Sequence, residues 1–89
     1  MQFWYVYVLL SLKDGHFYIG MTKDLKRRLL QHQAGVNVST AKRRPFELIY
    51  FEGHRSQHDA RRREKYFKTT KGKVTLRQIT RDFFASRTA

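Results

Sequence analysis

Phe3-Trp4-Tyr5-Val6-Tyr7-Val8-Leu9-Leu10, then Lys13-Asp14-Gly15, then Phe17-Tyr18-Ile19-Gly20: this stretch decides the fold. The first run is aromatic and β-branched, and it is apolar on both alternating faces. That pattern predicts a central strand covered on both sides. Lys13-Asp14-Gly15 supplies turn chemistry. Phe17 to Gly20 then returns as a second strand, antiparallel to the first, with the register left open.

Working outward, residues 24–34 read as a helix. Asp24 is the candidate N-cap, Leu25 and Leu29 are spaced i, i+4, and Gly35 suits a left-handed stop. Residues 36–45 read as a polar, basic loop ending at Pro45. Glu47-Leu48-Ile49-Tyr50-Phe51-Glu52 reads as a third strand, ended by Gly53. Ser56 and Asp59 make an S-x-x-D capping signal for a helix to about Lys68. Lys71-Gly72-Lys73 reads as a break, and Leu76, Ile79 and Phe83 predict a last helix near 74–84. Residues 3–10, 16–20 and 47–52 are expected to pair in one sheet. The order is ββαβαα, an α+β domain with a small, mostly antiparallel three-stranded sheet flanked by helices. No repeat or linker interrupts it, so residues 1–89 are expected to be one domain.

Charge narrows the partner. Nineteen Lys and Arg against seven Asp and Glu give a formal +12 at pH 7. That much like charge on a small fold repels itself, and nucleic-acid phosphate is the leading partner. No apolar run approaches the ~20 residues of a spanning helix. The basic residues are spread over several elements rather than along one amphipathic helix, which argues against a membrane partner. Residues 3–10 lack the basic lead and cleavage site of a signal peptide. The absence of Cys removes disulfides and thiolate zinc sites, and suits a cytoplasmic protein.

A few residues stand out chemically. Arg28 and His32, four apart, share a helix face beside the Leu25/Leu29 stripe. A groove wall would carry such a pair, but so would an ordinary solvated basic helix. Ala60, Glu64 and Phe67 fall at i, i+4, i+7, so Glu64 occupies a slot where an apolar residue is expected. A buried carboxylate needs a partner. Either a metal ion or one of the neighbouring Arg and Lys side chains would serve. The seven carboxylates form no D-x-D cluster, which leaves little for a two-metal site. One Mg²⁺ held by one carboxylate, waters and substrate phosphate is feasible. Tyr5, Tyr7 and Tyr18 stand on the first two strands, where tyrosine commonly serves packing. Surrounding cations would lower a tyrosine pKa and make it a usable proton acceptor.

Together these residues resemble the GIY-YIG nuclease family, in its small stand-alone bacterial, UPF0213-like type. Tyr5-Val6-Tyr7, then ten residues, then Tyr18-Ile19-Gly20, looks like the signature that names the family. Arg28 comes ten residues after Tyr18, His32 four later, and Glu64 lies on the helix after the third strand. Thr40-Ala41-Lys42-Arg43-Arg44-Pro45-Phe46-Glu47-Leu48 is similar to a segment of small bacterial and eukaryotic structure-specific members. Tyr5 stands where the family name has Gly, and Met21 where some repair members carry Lys.

The resemblance implies a metal-dependent endonuclease serving DNA repair or recombination, with Tyr7, Tyr18, Arg28, His32 and Glu64 as catalytic residues. Glu64 would hold one Mg²⁺ or Mn²⁺. Tyr7 or Tyr18 would help deprotonate the attacking water, Arg28 would steady the phosphoryl charge, and His32 would orient a group or shuttle a proton. Lys23, Arg27, Lys42, Arg43, Arg44 and Arg63 are the expected nucleic-acid contacts, with DNA favoured over RNA and no small-molecule cofactor. The competing expectation is a nucleic-acid-binding module with the same fold and negligible turnover.

Overall fold

The computed structural model describes residues 1–87. Residues 88 and 89, which the expected domain includes, lie outside the described residues. The sheet has three strands, β1 (Trp4–Ser11), β2 (Phe17–Thr22) and β3 (Phe46–His54), in the order β2-β1-β3 and antiparallel throughout. The register pairs Tyr7 with Gly20 on one side and with Phe51 on the other. The β1–β3 register shifts between Val8 and Leu9, where Tyr50 is followed by Leu48 as cross-strand partner.

The doubly apolar reading of β1 matches its burial. Val6 and Val8 face a core with Ile19, Ala60, Phe67 and Leu76. Tyr7 and Leu9 face the other way, onto Phe46, Leu25, Leu29 and Tyr18. The sheet is therefore the middle layer. Helix α1 (Leu25–Ala34) contributes to the Tyr7 face, and α3 (Gln57–Phe67) and α4 (Thr70–Ile79) cover the Val6 face. Phe67 and Leu76 are fully buried. Truncating Phe67 to Ala would cost about 3–5 kcal/mol.

The helices differ from expectation in three places. A short helix, α2 (Val38–Ala41), sits inside the expected loop, because the Asn37 side chain accepts from the Ser39 N–H and caps it. Lys71-Gly72-Lys73 is not a break. Thr69 caps α4 by accepting from the Gly72 N–H at 3.0 Å, and the helix runs through. Gly72 is there for closeness: a Cβ on it would lie 1.8 Å from the Tyr66 carbonyl oxygen. The last helix then stops at Thr80 and restarts as α5 (Arg81–Arg87), which leaves Ile79 exposed rather than in the expected stripe. The order is thus ββααβααα, with the expected α+β architecture kept. Asp24 caps α1 through the Arg27 N–H, and Gly35 ends it at φ 76°, both as expected. Ser56 precedes α3 but makes no side-chain cap hydrogen bond.

Candidate active site

Four of the five expected catalytic side chains meet around the Tyr7 hydroxyl. Tyr7 is 1% exposed, and its phenol extends over Gly20 toward the β2 edge of the sheet. A buried hydroxyl without partners would cost about 1–3 kcal/mol. Here Arg28 Nε donates to it at 3.3 Å, and His32 Nε2 lies 3.0 Å from it. Tyr18 stacks edge-on against His32 at 4.9 Å between ring centroids, and lies 6.4 Å from the Tyr7 ring. Arg28 is steadied by donating to Gln31 Oε1 at 3.1 Å.

His32 is fully buried, and the helical turn of α2 explains why it is tolerated there. Its Nδ1 lies 2.9 Å from Thr40 Oγ1. The Thr40 hydroxyl donates to the Asn37 carbonyl at 3.4 Å. With its proton there, Thr40 oxygen accepts from His32 Nδ1–H. His32 Nε2 is then bare and accepts from the Tyr7 O–H, while the Tyr7 oxygen accepts from Arg28. Thr40 and Gln31 were not expected at the site. Gln31 is signalled only by its i+3 spacing from Arg28, and nothing in the sequence pairs Thr40 with His32.

The expected lowering of the tyrosine pKa is corrected for Tyr7. Burial pushes its phenol above the ordinary 10.0; the hydrogen bond and charge of Arg28 pull it down but do not win, and the Tyr18 and Glu64 charges add to the rise. Burial, helped by the Arg28 charge, holds His32 below its ordinary 6.5. The resting site therefore carries a neutral phenol, a neutral imidazole and one cation. The Arg28 guanidinium is held even more firmly charged by its hydrogen bond to Tyr7 and by the nearby Tyr18 phenol.

Glu64 is the fifth residue. Its charge is the least of the influences that raise the Tyr7 phenol, and its carboxylate is only partly buried: the side chain is 21% exposed and pairs with Lys68, one turn on, at 3.4 Å. Ala60 and Phe67 fill the apolar slots on either side. Among the described residues no three His, Asp or Glu gather into an all-protein cage. A magnesium-type ion needs no such cage, since one or two carboxylates, waters and substrate phosphates suffice. A partly exposed carboxylate whose partner is an exposed lysine fits that kind of ion.

The expected nucleic-acid contacts divide. Lys23, Arg27 and Lys42 are exposed, and Lys23 lies 4.7 Å over the Trp4 ring. A cleft of about 520 Å³ beside Arg28 is lined by Trp4, Lys23, Arg27 and Gln31 among others. Three arginines are instead engaged internally. Arg43 pairs with Asp14 at 2.8 Å and donates to the His16 and Phe17 carbonyls. Arg44 donates to the Ala41 and Gln33 carbonyls, tying α2 to the end of α1. Arg63 makes a two-pronged pair with Glu52 at 2.8 and 3.0 Å and stacks 4.4 Å over Phe67.

The family model for the GIY-YIG catalytic domain matches residues 3–78. The chain belongs to the GIY-YIG family. It is a nuclease family, and the catalytic-domain match spans every residue just described. Among its relatives, a UPF0213 protein of Streptococcus pneumoniae is 43% identical over 68 residues, covering 75% of this chain and 68% of its own. A UPF0213 protein of Pediococcus acidilactici is 37% identical over 78 residues, covering 84% and 79%. The solution NMR structure of a UPF0213 protein from Bacillus halodurans superposes with a TM-score of 0.55 at 34% identity, covering 89% of this chain and 85% of that one. Among the described residues, no helix is long and apolar enough to cross a membrane.

Proposed function

We propose that this GIY-YIG domain is an endonuclease that hydrolyses phosphodiester bonds, with DNA as substrate, one Mg²⁺ or Mn²⁺ as cofactor, and DNA repair or recombination as its setting. The observation that carries the reading is the Tyr7 hydroxyl, buried between Arg28 and His32.

Tyr7 cannot begin as a phenolate, because burial holds its proton on. It can pass one. As the Tyr7 oxygen takes a proton from an attacking water, its own proton moves to His32 Nε2, which burial keeps neutral and ready to accept. His32 is held in that tautomer by Thr40. Arg28 stays charged throughout and faces the phosphoryl oxygens as charge builds on them. Tyr18 packs against His32 and limits water at the relay. A divalent ion on Glu64 would neutralise the scissile phosphate and the leaving oxygen. Lys23 and Arg27 on the cleft rim supply phosphate contacts that are independent of sequence.

The alternative is a binding module with little turnover. Two observations favour it: the Glu64 carboxylate is already paired with Lys68, and Met21 stands where some repair members carry a lysine. Purified protein incubated with labelled duplex, single-stranded and branched DNA separates the two. Hydrolysis that needs Mg²⁺ or Mn²⁺ and stops with chelator supports the nuclease. Tight binding with no product under any metal supports the module.

A further inference from the structure

On the Tyr7 side of the sheet, the Phe51 ring lies open, with the half-buried rings of Tyr5 and Phe3 beside it. Phe3 and Tyr5 have ring centroids 6.3 Å apart, and Tyr5 and Phe51 are 6.1 Å apart, edge to face. Phe51 is 50% exposed although it is the direct cross-strand partner of the buried Tyr7. Gly53, the partner of Tyr5, is exposed and has no side chain to fill the gap between the rings. A groove of about 490 Å³ runs between the Tyr5 and Phe51 rings and α1, lined also by Leu29, Lys23 and Lys26 among others. Arg55 lies 5.9 Å from the Phe3 ring at the outer end.

Single exposed apolar residues are ordinary. An exposed ring set against a half-buried one and bounded by cations suits a ligand with a flat apolar face and a negative charge. Charge complementarity chooses among occupants. A second copy of the chain would bring another +12 against these lysines. A nucleic-acid strand brings both the flat face and the phosphates. Lys23 and Asp24 line this groove and also the cleft beside Arg28. The two sites therefore adjoin, and a strand that runs from the cleft beside Arg28 past Lys23 enters this groove and brings a base to Tyr5 and Phe51. A base inside a duplex has both faces covered, so away from the duplex ends a base can stack on a protein ring only when it is unpaired.

We infer that Tyr5 and Phe51 form a stacking platform for an unpaired base next to the phosphate held at Arg28, and that the preferred substrate is single-stranded or splayed there. The inference rests on the nucleic-acid reading of the neighbouring site and specifies its substrate.

The test is binding in chelator, where turnover plays no part. Fluorescence anisotropy compares a single-stranded DNA oligonucleotide with a blunt duplex, for the wild-type protein, Phe51→Ala and Phe51→Leu. Both substitutions should weaken single-strand binding by roughly 5- to 150-fold, the range that base–aromatic stacking gives per base, and change duplex binding by less than about twofold. Phe51→Leu keeps the apolar volume and loses only the ring, so it decides the matter if circular dichroism shows Phe51→Ala unfolded. In parallel, an oligonucleotide carrying 5-iodouracil should photo-crosslink to Tyr5 or Phe51. Equal losses on both DNAs, no loss, no binding by the wild type, or crosslinks elsewhere overturn the platform. So does a wild-type dimer that Phe51→Leu dissolves in sedimentation, or binding to anionic vesicles that depends on Phe51 while DNA binding does not. A platform that stacks bases in a protein that cleaves nothing would sink the nuclease reading alone. Metal-dependent cleavage with no effect of Phe51 would sink the platform alone.

Discussion

Gly20 is the cross-strand partner of Tyr7, and the Tyr7 phenol occupies the space where a Gly20 side chain would be: a Cβ there would lie 2.3 Å from the hydroxyl oxygen. The glycine is what lets the phenol reach Arg28 and His32. Gly20→Ala must therefore push Tyr7 off both partners. Cleavage should fall by about 100-fold or more, since misplacing a reacting group by about 1 Å costs that much. Circular dichroism should still report a folded domain, because β2 is an edge strand. Activity within a few-fold of wild type would mean that the Tyr7 hydroxyl has no part in the reaction.

The relay from Tyr7 to His32 has a pH signature. His32 accepts a proton only while neutral, and burial holds its pKa below 6.5. The cleavage rate should therefore hold through neutrality and fall only on the acid side of pH 6.5, as imidazole protonates. His32→Asn should be slower and should lose that acid limb. A wild-type rate that instead keeps climbing toward pH 10, the ordinary tyrosine range, would show that a free phenolate is the base.

Acid stability should centre on Glu52. Burial alone would raise its carboxyl, but hydrogen bonds from Arg63, His54 and Tyr50 outweigh it and bring the pKa from 4.5 down to about 2. A lowered carboxylate stabilises the fold above its unfolded pKa and loses that contribution as pH falls. The loss should run from about pH 4.5 to about 2 and amount to roughly 3 kcal/mol at most. His32, also lowered, adds a smaller loss that begins below 6.5. Urea unfolding across this range, on wild type and Glu52→Gln, checks it. The variant should be less stable at neutral pH and flatter in acid; parallel curves would contradict the assignment.

Much of this was legible in the sequence because short-range physics set it. The doubly apolar β1, the Asp24 cap and the Gly35 stop each depend on a few neighbouring residues, and each stands as read. Arg28 and His32 were visible as one helix face. What was hidden was long-range. Gly72 looked like a breaker because its reason is the Tyr66 carbonyl on the preceding helix. Arg43 and Arg63 looked like free cations because Asp14 and Glu52 come to them from other elements. The sign of the Tyr7 pKa shift is hidden too, because burial around a phenol does not show in residue spacing. Gly20 did carry a local signal, since a glycine inside a strand marks a bulge or a close approach.

Glu64→Gln tests the central claim most directly. The substitution keeps volume and removes the charge that would hold the ion. Cleavage of labelled DNA in Mg²⁺ or Mn²⁺ and DNA affinity in chelator should be measured on the same two proteins. The account predicts cleavage lost in the variant, with affinity equal to wild type or slightly higher, because a negative charge has been removed from a basic surface. Wild-type cleavage by Glu64→Gln, or wild-type cleavage that persists in chelator, would contradict it.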